Sequence, residues 1–148
     1  MTQSPTNCIF CEIVAGSAPS SRVYEDQEIL GFLNIKPAHP GECLLIPKHH
    51  VDHFTDLDVE IAARIMMVAQ RLANRIREVY RPQRVGYVVA GYGVAHAHLI
   101  IVPQWHTNDI TCQHFAVLND GEIQFTDAHI PLAPRDELDL VAKKLRIG

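Results

Sequence analysis

Two histidines separated by one residue, His96 and His98, and two cysteines three positions apart, Cys8 and Cys11, are the side chains whose types and spacing can do chemistry. His96-Ala97-His98-Leu99-Ile100-Ile101-Val102-Pro103 reads as a strand. Side chains alternate along a strand, so His96, His98, Ile100 and Val102 share one face and Ala97, Leu99 and Ile101 the other. Neighbouring imidazoles on one surface suit two tasks near neutral pH: two ligands to one metal, or one ligand beside one nucleophile. The rival reading is a pair of ordinary half-buried histidines, and their position beside Gly91-Tyr92-Gly93 weighs against it. Cys8-Ile9-Phe10-Cys11 is a C-x-x-C whose two thiolates can grip Zn²⁺ and leave two ligands to be found, for which histidines are candidates. A redox dithiol should follow a strand within a βαβ unit, and no strand reads ahead of Cys8. Two unlinked buried thiols are the remaining alternative.

The elements that must position these groups follow from periodicity. Cys8 to Ala15 reads as a short helix or turn stopped by Gly16. Arg22 to Glu25, Glu28 to Ile35 and Glu42 to Pro47 are apolar, aromatic and β-branched runs separated by turn residues, an antiparallel meander. From Asp56 to Tyr80 the period changes: Ile61, Ile65, Val68, Leu72, Ile76 and Val79 recur at three and four residues, giving a long amphipathic helix. Thr55 and Asp58 resemble its capping box. Val85 to Ala90 and His96 to Val102 are strand-like, and a terminal helix is expected from Arg135 to Leu145. The fold class is therefore α+β: an antiparallel sheet of five or six strands, one long helix and a C-terminal helix.

A chain of 148 residues is about one domain's worth. It is read as a single domain over 1–148, with its motifs in about 8–104 and an extension over 105–148. A net charge of −4 with scattered Lys and Arg excludes nucleic acid as the main partner. Apolar runs far shorter than a bilayer span and a polar start without a signal pattern lead to the expectation of a cytoplasmic, non-membrane protein. The four cysteines are then read as thiols, metal ligands or small buried groups rather than a disulfide frame.

Several of these segments together resemble the histidine triad (HIT) family. His96-Ala97-His98-Leu99-Ile100 before Ile101-Val102-Pro103 is similar to its motif of three alternating histidines. Cys8-Ile9-Phe10-Cys11-Glu12-Ile13 looks like the N-terminal segment of the zinc-bearing, bacterial-type members. Phe32-Leu33-Asn34-Ile35-Lys36-Pro37, Pro40-Gly41 and Leu45-Ile46-Pro47-Lys48-His49-His50-Val51 follow the second block in the family's order. The resemblance covers about Cys8 to Gln104. It implies a homodimer paired through the long helix and one strand. It also implies a nucleotide-binding hydrolase or nucleotidyltransferase acting at an α-phosphorus, on a nucleoside phosphoramidate or a dinucleotide polyphosphate.

Carried over residue by residue, the resemblance makes His98 the nucleophile that forms a nucleotidyl-histidine. It makes Cys8, Cys11, His50 and His96 the ligands of a structural Zn²⁺. It assigns Ile9, Phe10, Ile13, Phe32, Leu33, Asn34 and Ile35 to the base and ribose, although Ile13 and Ile35 also read as core. Two positions depart from the pattern. Ile100 stands where the third histidine is expected and offers no hydrogen-bond donor, and Asn34 stands where aspartate is common. His106 is a speculative substitute donor, and a solvated loop histidine is the plainer reading. Trp105, Asp109, His114 and His129 receive no role. The alternative function is a zinc-stabilised nucleotide-binding or protein-interaction module with weak or lost catalysis.

Overall fold

The computed structural model describes residues 7–110 and 115–148. α1 (Ile9–Ala15) stops at Gly16, whose left-handed φ of 80° lets its N–H turn back onto the helix's last carbonyls. β1 (Arg22–Glu25), β2 (Ile29–Leu33) and β3 (Cys43–Pro47) form the expected meander. α2 (Val59–Tyr80) crosses to β4 (Arg84–Val88), and β5 (Leu99–Gln104) runs back between β3 and β4. The result is one five-stranded antiparallel sheet in the order β1-β2-β3-β5-β4. A separate hairpin of β6 (Ala116–Asn119) and β7 (Glu122–Phe125) precedes α3 (Arg135–Leu145).

Alternation sorts the sheet into two faces. Val23, Ile29, Leu33, Cys43, Leu45, Leu99 and Ile101 pack against Ile65, Val68, Leu72 and Ile76 of α2 and Leu138, Ala142 and Leu145 of α3. On the opposite face Leu30, Phe32, Leu44 and Ile46 lie under Phe10 and Ile13 of α1. β2 and β3 are buried at every position because both faces are covered. The helical spacing of α2 thus has its cause in this core, where each fully buried Leu or Ile contributes about 1.5–3 kcal/mol.

β2 and β4 are shorter than the expected Glu28–Ile35 and Val85–Ala90, and two boundaries differ more from the sequence reading. Phe54–Asp56 form a 3-10 turn, so Thr55 lies inside that turn; Asp58 precedes the helix and makes no side-chain cap bond. The strand expected from His96 starts at Leu99 instead. Ala97 N–H donates to the Val51 carbonyl (2.7 Å) and His96 N–H to that of Val94 (2.8 Å), so the histidine segment is held by loops rather than by a sheet ladder. Pro103 is tolerated within β5 because pairing with β3 ends at Ile101 and leaves one side of the strand without a ladder there.

The C-terminal part closes over the sheet's far end. Ala133 N–H donates to the Ile35 carbonyl (2.8 Å), Ile147 N–H to that of Val23 (2.9 Å), and Ser21 to Asp139 (2.6 Å). No helix among the described residues is long and apolar enough to cross a membrane.

Candidate active site and metal centre

Cys8 and Cys11 flank the first turn of α1, where Glu12 N–H bonds the Cys8 carbonyl at 3.1 Å and brings both sulfurs to one side. Opposite them stand His50, three residues beyond the end of β3, and His96, on the lead-in to β5. Cys8 Sγ lies 3.4 Å from His96 Nδ1, Cys11 Sγ 3.3 Å from His50 Nδ1 and 3.6 Å from His96 Nδ1, and the two Nδ1 atoms are 3.2 Å apart. All four ligand atoms lie within 4.8 Å of one another. Tetrahedral Zn²⁺ with ordinary bond lengths sets edges of roughly 3.4 Å between nitrogens and roughly 3.6 Å between nitrogen and sulfur. The observed separations match a set of this size.

The tautomers agree with metal binding. His96 Nε2 donates to the Pro47 carbonyl at 2.8 Å, which leaves the Nδ1 lone pair facing the cluster. His96 is fully buried. Burial pushes its imidazole below the ordinary value of 6.5 against the raising effect of the bond to Pro47, with the neighbouring His50, His98 and His49 adding to the lowering, which favours the neutral form a ligand needs. Two thiolates balance the charge of a divalent cation.

His98 lies two residues from this ligand. Its Nδ1 donates to the His96 carbonyl at 2.7 Å, so Nε2 carries the free lone pair. The ring is buried, with Phe10 set edge-on at 5.5 Å. An imidazole fixed at one nitrogen and open at the other has the geometry of an oriented nucleophile.

The face under α1 leads away from His98. Phe10, Ile13 and Phe32 gather there, with the Phe10 and Phe32 rings 5.5 Å apart in an edge arrangement. Ile9 and Ile35 are about half exposed and sit at the rim, which removes the core reading for Ile35; Ile13 is buried. Leu33 faces the other way, into the core beneath α2, so a part in this slot falls to its backbone. Asn34 follows β2 directly. Ile100 packs partly buried against the same cluster and presents only methyl groups where a donor was expected.

His106 does not stand in for that donor. It is exposed beyond the far end of β5, and six strand residues at about 3.3 Å each put it roughly 20 Å from His98. His114 lies outside the described residues. Glu42 escaped the sequence reading, and Asp109, named there, was given no role. Glu42 is 4% exposed and bonded to Asn34. Asp109 is 2% exposed, accepts the Trp105 and His106 N–H groups and faces His39 Nε2 at 3.2 Å. A carboxylate between apolar neighbours in a chain gives no periodic signal; only its place beside the turn residues Pro40-Gly41 could have singled out Glu42.

The HIT domain family matches residues 15–121. The chain belongs to this family. It is 35% identical over 108 residues to the protein hit of Bacillus subtilis, covering 70% of this chain and 74% of that one. It is 32% identical over 98 residues to an adenosine 5'-monophosphoramidase of Saccharomyces cerevisiae, covering 66% and 62%. Among solved structures, a Zn-bound histidine triad family protein of Mycobacterium smegmatis superposes with a TM-score of 0.69 at 30% identity over 94% of this chain and 90% of that one. For this HIT protein, the Cys8, Cys11, His50 and His96 cluster fits a structural zinc site.

Proposed function

We propose that this HIT protein binds a nucleotide conjugate and cleaves it, or transfers its nucleotidyl group, at the α-phosphorus through His98. The carrying observation is the His98 ring, tied at Nδ1 to the His96 carbonyl at 2.7 Å with Nε2 left free. The phosphoramidase activity named for the yeast relative supports the substrate class.

Nε2 donates its lone pair to phosphorus as the bond to the leaving amine or phosphate breaks, giving a nucleotidyl-histidine. The leaving group takes a proton from water, and attack by water or another acceptor frees His98 again. Backbone N–H groups beside His98, other than those of His96 and Ala97 that bond Val94 and Val51, supply donors to the phosphate, and stabilising its developing charge provides most of the rate. Phe10, Ile13 and Phe32, with Ile9, Ile35 and the Leu33 backbone, hold the base, and Asn34 meets the ribose. Bound zinc supplies a rigid cross-link between α1, the segment after β3 and the lead-in to β5; Cys8, Cys11, His50 and His96 hold it.

The chain acts as one domain, because Leu138, Ala142 and Leu145 of α3 complete the same core as α2. It pairs as a homodimer through α2 and β4, where Met66, Met67, Tyr87 and Val89 are exposed beside an edge strand.

A second reading rests on Ile100. An apolar residue in the third triad place favours a nucleotide-binding or interaction module with weak or lost catalysis. The two readings separate on AMP release from an adenosine phosphoramidate and from a diadenosine polyphosphate. Turnover by the zinc-loaded protein that vanishes in His98→Ala supports the enzyme; binding of AMP without turnover above that variant supports the module.

A further inference from the structure

Asn34 stands at the sugar end of the proposed slot, and its side chain is bonded to a buried carboxylate. Asn34 Nδ2 donates to Glu42 Oε1 at 2.7 Å, and Asn34 Oδ1 accepts the Lys36 backbone N–H at 3.0 Å. The other carboxylate oxygen, Oε2, accepts the Ala38 N–H at 2.9 Å. The backbones are joined as well, Asn34 N–H to the Glu42 carbonyl at 3.0 Å. A carboxylate only accepts and a backbone N–H only donates, so the Asn34 amide has a single orientation. Both residues stand one step beyond the paired ends of β2 and β3, in the alternation of Phe32 and Leu44, and border a cavity shared with Leu33, Pro37 and Val141 of α3.

We propose that Asn34 and Glu42 form one sugar-recognising pair, with Glu42 as the positioning residue that presents the Asn34 amide to a vicinal diol. The proposal rests on the nucleotide reading given above. An asparagine amide has two N–H donors and two acceptor lone pairs. Glu42 takes one N–H and the Lys36 N–H takes one lone pair, which leaves one donor and one acceptor. One ribose hydroxyl donates to Oδ1 and its neighbour accepts from Nδ2. The negative charge absent from position 34 is present at Glu42, and it polarises the amide through a charge-assisted bond.

This pair behaves differently from a merely weakened aspartate. In Asn34→Asp an oxygen replaces the N–H facing Glu42, and two carboxylates in hydrogen-bond contact cannot both ionise without cost. In Glu42→Gln alone, a donor must face either Asn34 Nδ2–H or Ala38 N–H. In the double variant the conflict disappears, because the glutamine amide donates to the new carboxylate while its carbonyl accepts from Ala38.

The test is calorimetric binding of AMP and 2′-deoxy-AMP to the zinc-loaded wild type, both single variants and the double variant. Each single change is expected to weaken AMP binding by about tenfold and to pull the ratio of AMP to 2′-deoxy-AMP affinity toward one, with the double variant within about threefold of wild type on both measures. The ratio is read within each variant, so a reduced folded fraction does not mimic the effect. Additive losses, tighter AMP binding by Asn34→Asp alone, or lowered thermal stability with an unchanged ratio would overturn the pair. Failure of the wild type to bind AMP overturns the nucleotide reading and the pair together, whereas AMP binding with additive variants overturns the pair alone.

Discussion

At the scale of single residues, the site is an oriented imidazole whose expected helper is missing. Ile100 occupies the same face as His98 and offers no donor, so Ile100→His supplies a group able to bond a phosphate oxygen or protonate a leaving group. A rise in the rate of AMP release by about 10²-fold is expected, the scale of one transition-state donor. An unchanged rate would mean that another group already supplies that function. Cysteine chemistry divides the same way. Cys43 is fully buried, and burial pushes its thiol well above the ordinary value of 9.0. Native protein mapped by mass spectrometry should show Cys43 unmodified by iodoacetamide, with labelling only after denaturation. His98, the C-x-x-C and both departures were legible because they are motif positions. Glu42 was not, since its significance lies in a contact between two strand ends and no spacing rule marks it.

At the scale of elements, the histidine segment is set by what surrounds it. Local pattern found α1, the meander, α2 and α3 closely, since buried stripes impose their period on the sequence. It missed the shift of β5 from His96 to Leu99, which depends on bonds from Ala97 and His96 to distant loop carbonyls. The β6–β7 hairpin carried a readable signal, Asp120-Gly121 with both φ values positive between alternating residues, and went unread within a polar stretch. The β1–β2 turn carries a clear prediction. Asp26 accepts the Glu28 and Ile29 N–H groups at 2.8 and 2.7 Å, the Tyr24 hydroxyl at 2.6 Å and Arg64 of α2 at 2.5 Å. Burial works to raise its pKa, but the Tyr24 hydroxyl, the Ile29 N–H and Arg64 outweigh it and hold it below the ordinary 3.8. A depressed carboxylate stabilises the fold fully above its unfolded value and loses that contribution as pH falls through the folded one. Asp26→Ala should therefore cost about 2–3 kcal/mol in urea unfolding at pH 7, a gap that narrows below about pH 4.

At the scale of the whole molecule, two sheet faces divide the labour. One is buried under α2 and α3 and supplies stability; the other carries the Cys8, Cys11, His50 and His96 cluster, His98 and the proposed base slot beneath α1. Zinc belongs to both, because it fastens α1 to the sheet. Chelation should lower the unfolding temperature by roughly 10 °C, the effect of about 3 kcal/mol on a domain of this length. Cys11→Ser should reproduce most of that loss, and metal analysis of the wild type should return one zinc per chain. Dimerisation is expected only by resemblance, since a self-complementary surface leaves no periodic trace. Sedimentation should give twice the chain mass, and Met67→Glu, which charges an exposed apolar site on α2, should shift the protein toward monomer. Unchanged sedimentation would place the interface elsewhere.

The most direct test of the central claim is rapid acid-free quenching during turnover of an adenosine phosphoramidate, followed by peptide mapping for an AMP adduct. An adduct on His98, absent in His98→Ala and lost on incubation without substrate, is the expected result. Turnover without any adduct on His98, or an adduct on another histidine, would contradict nucleotidyl transfer through this residue.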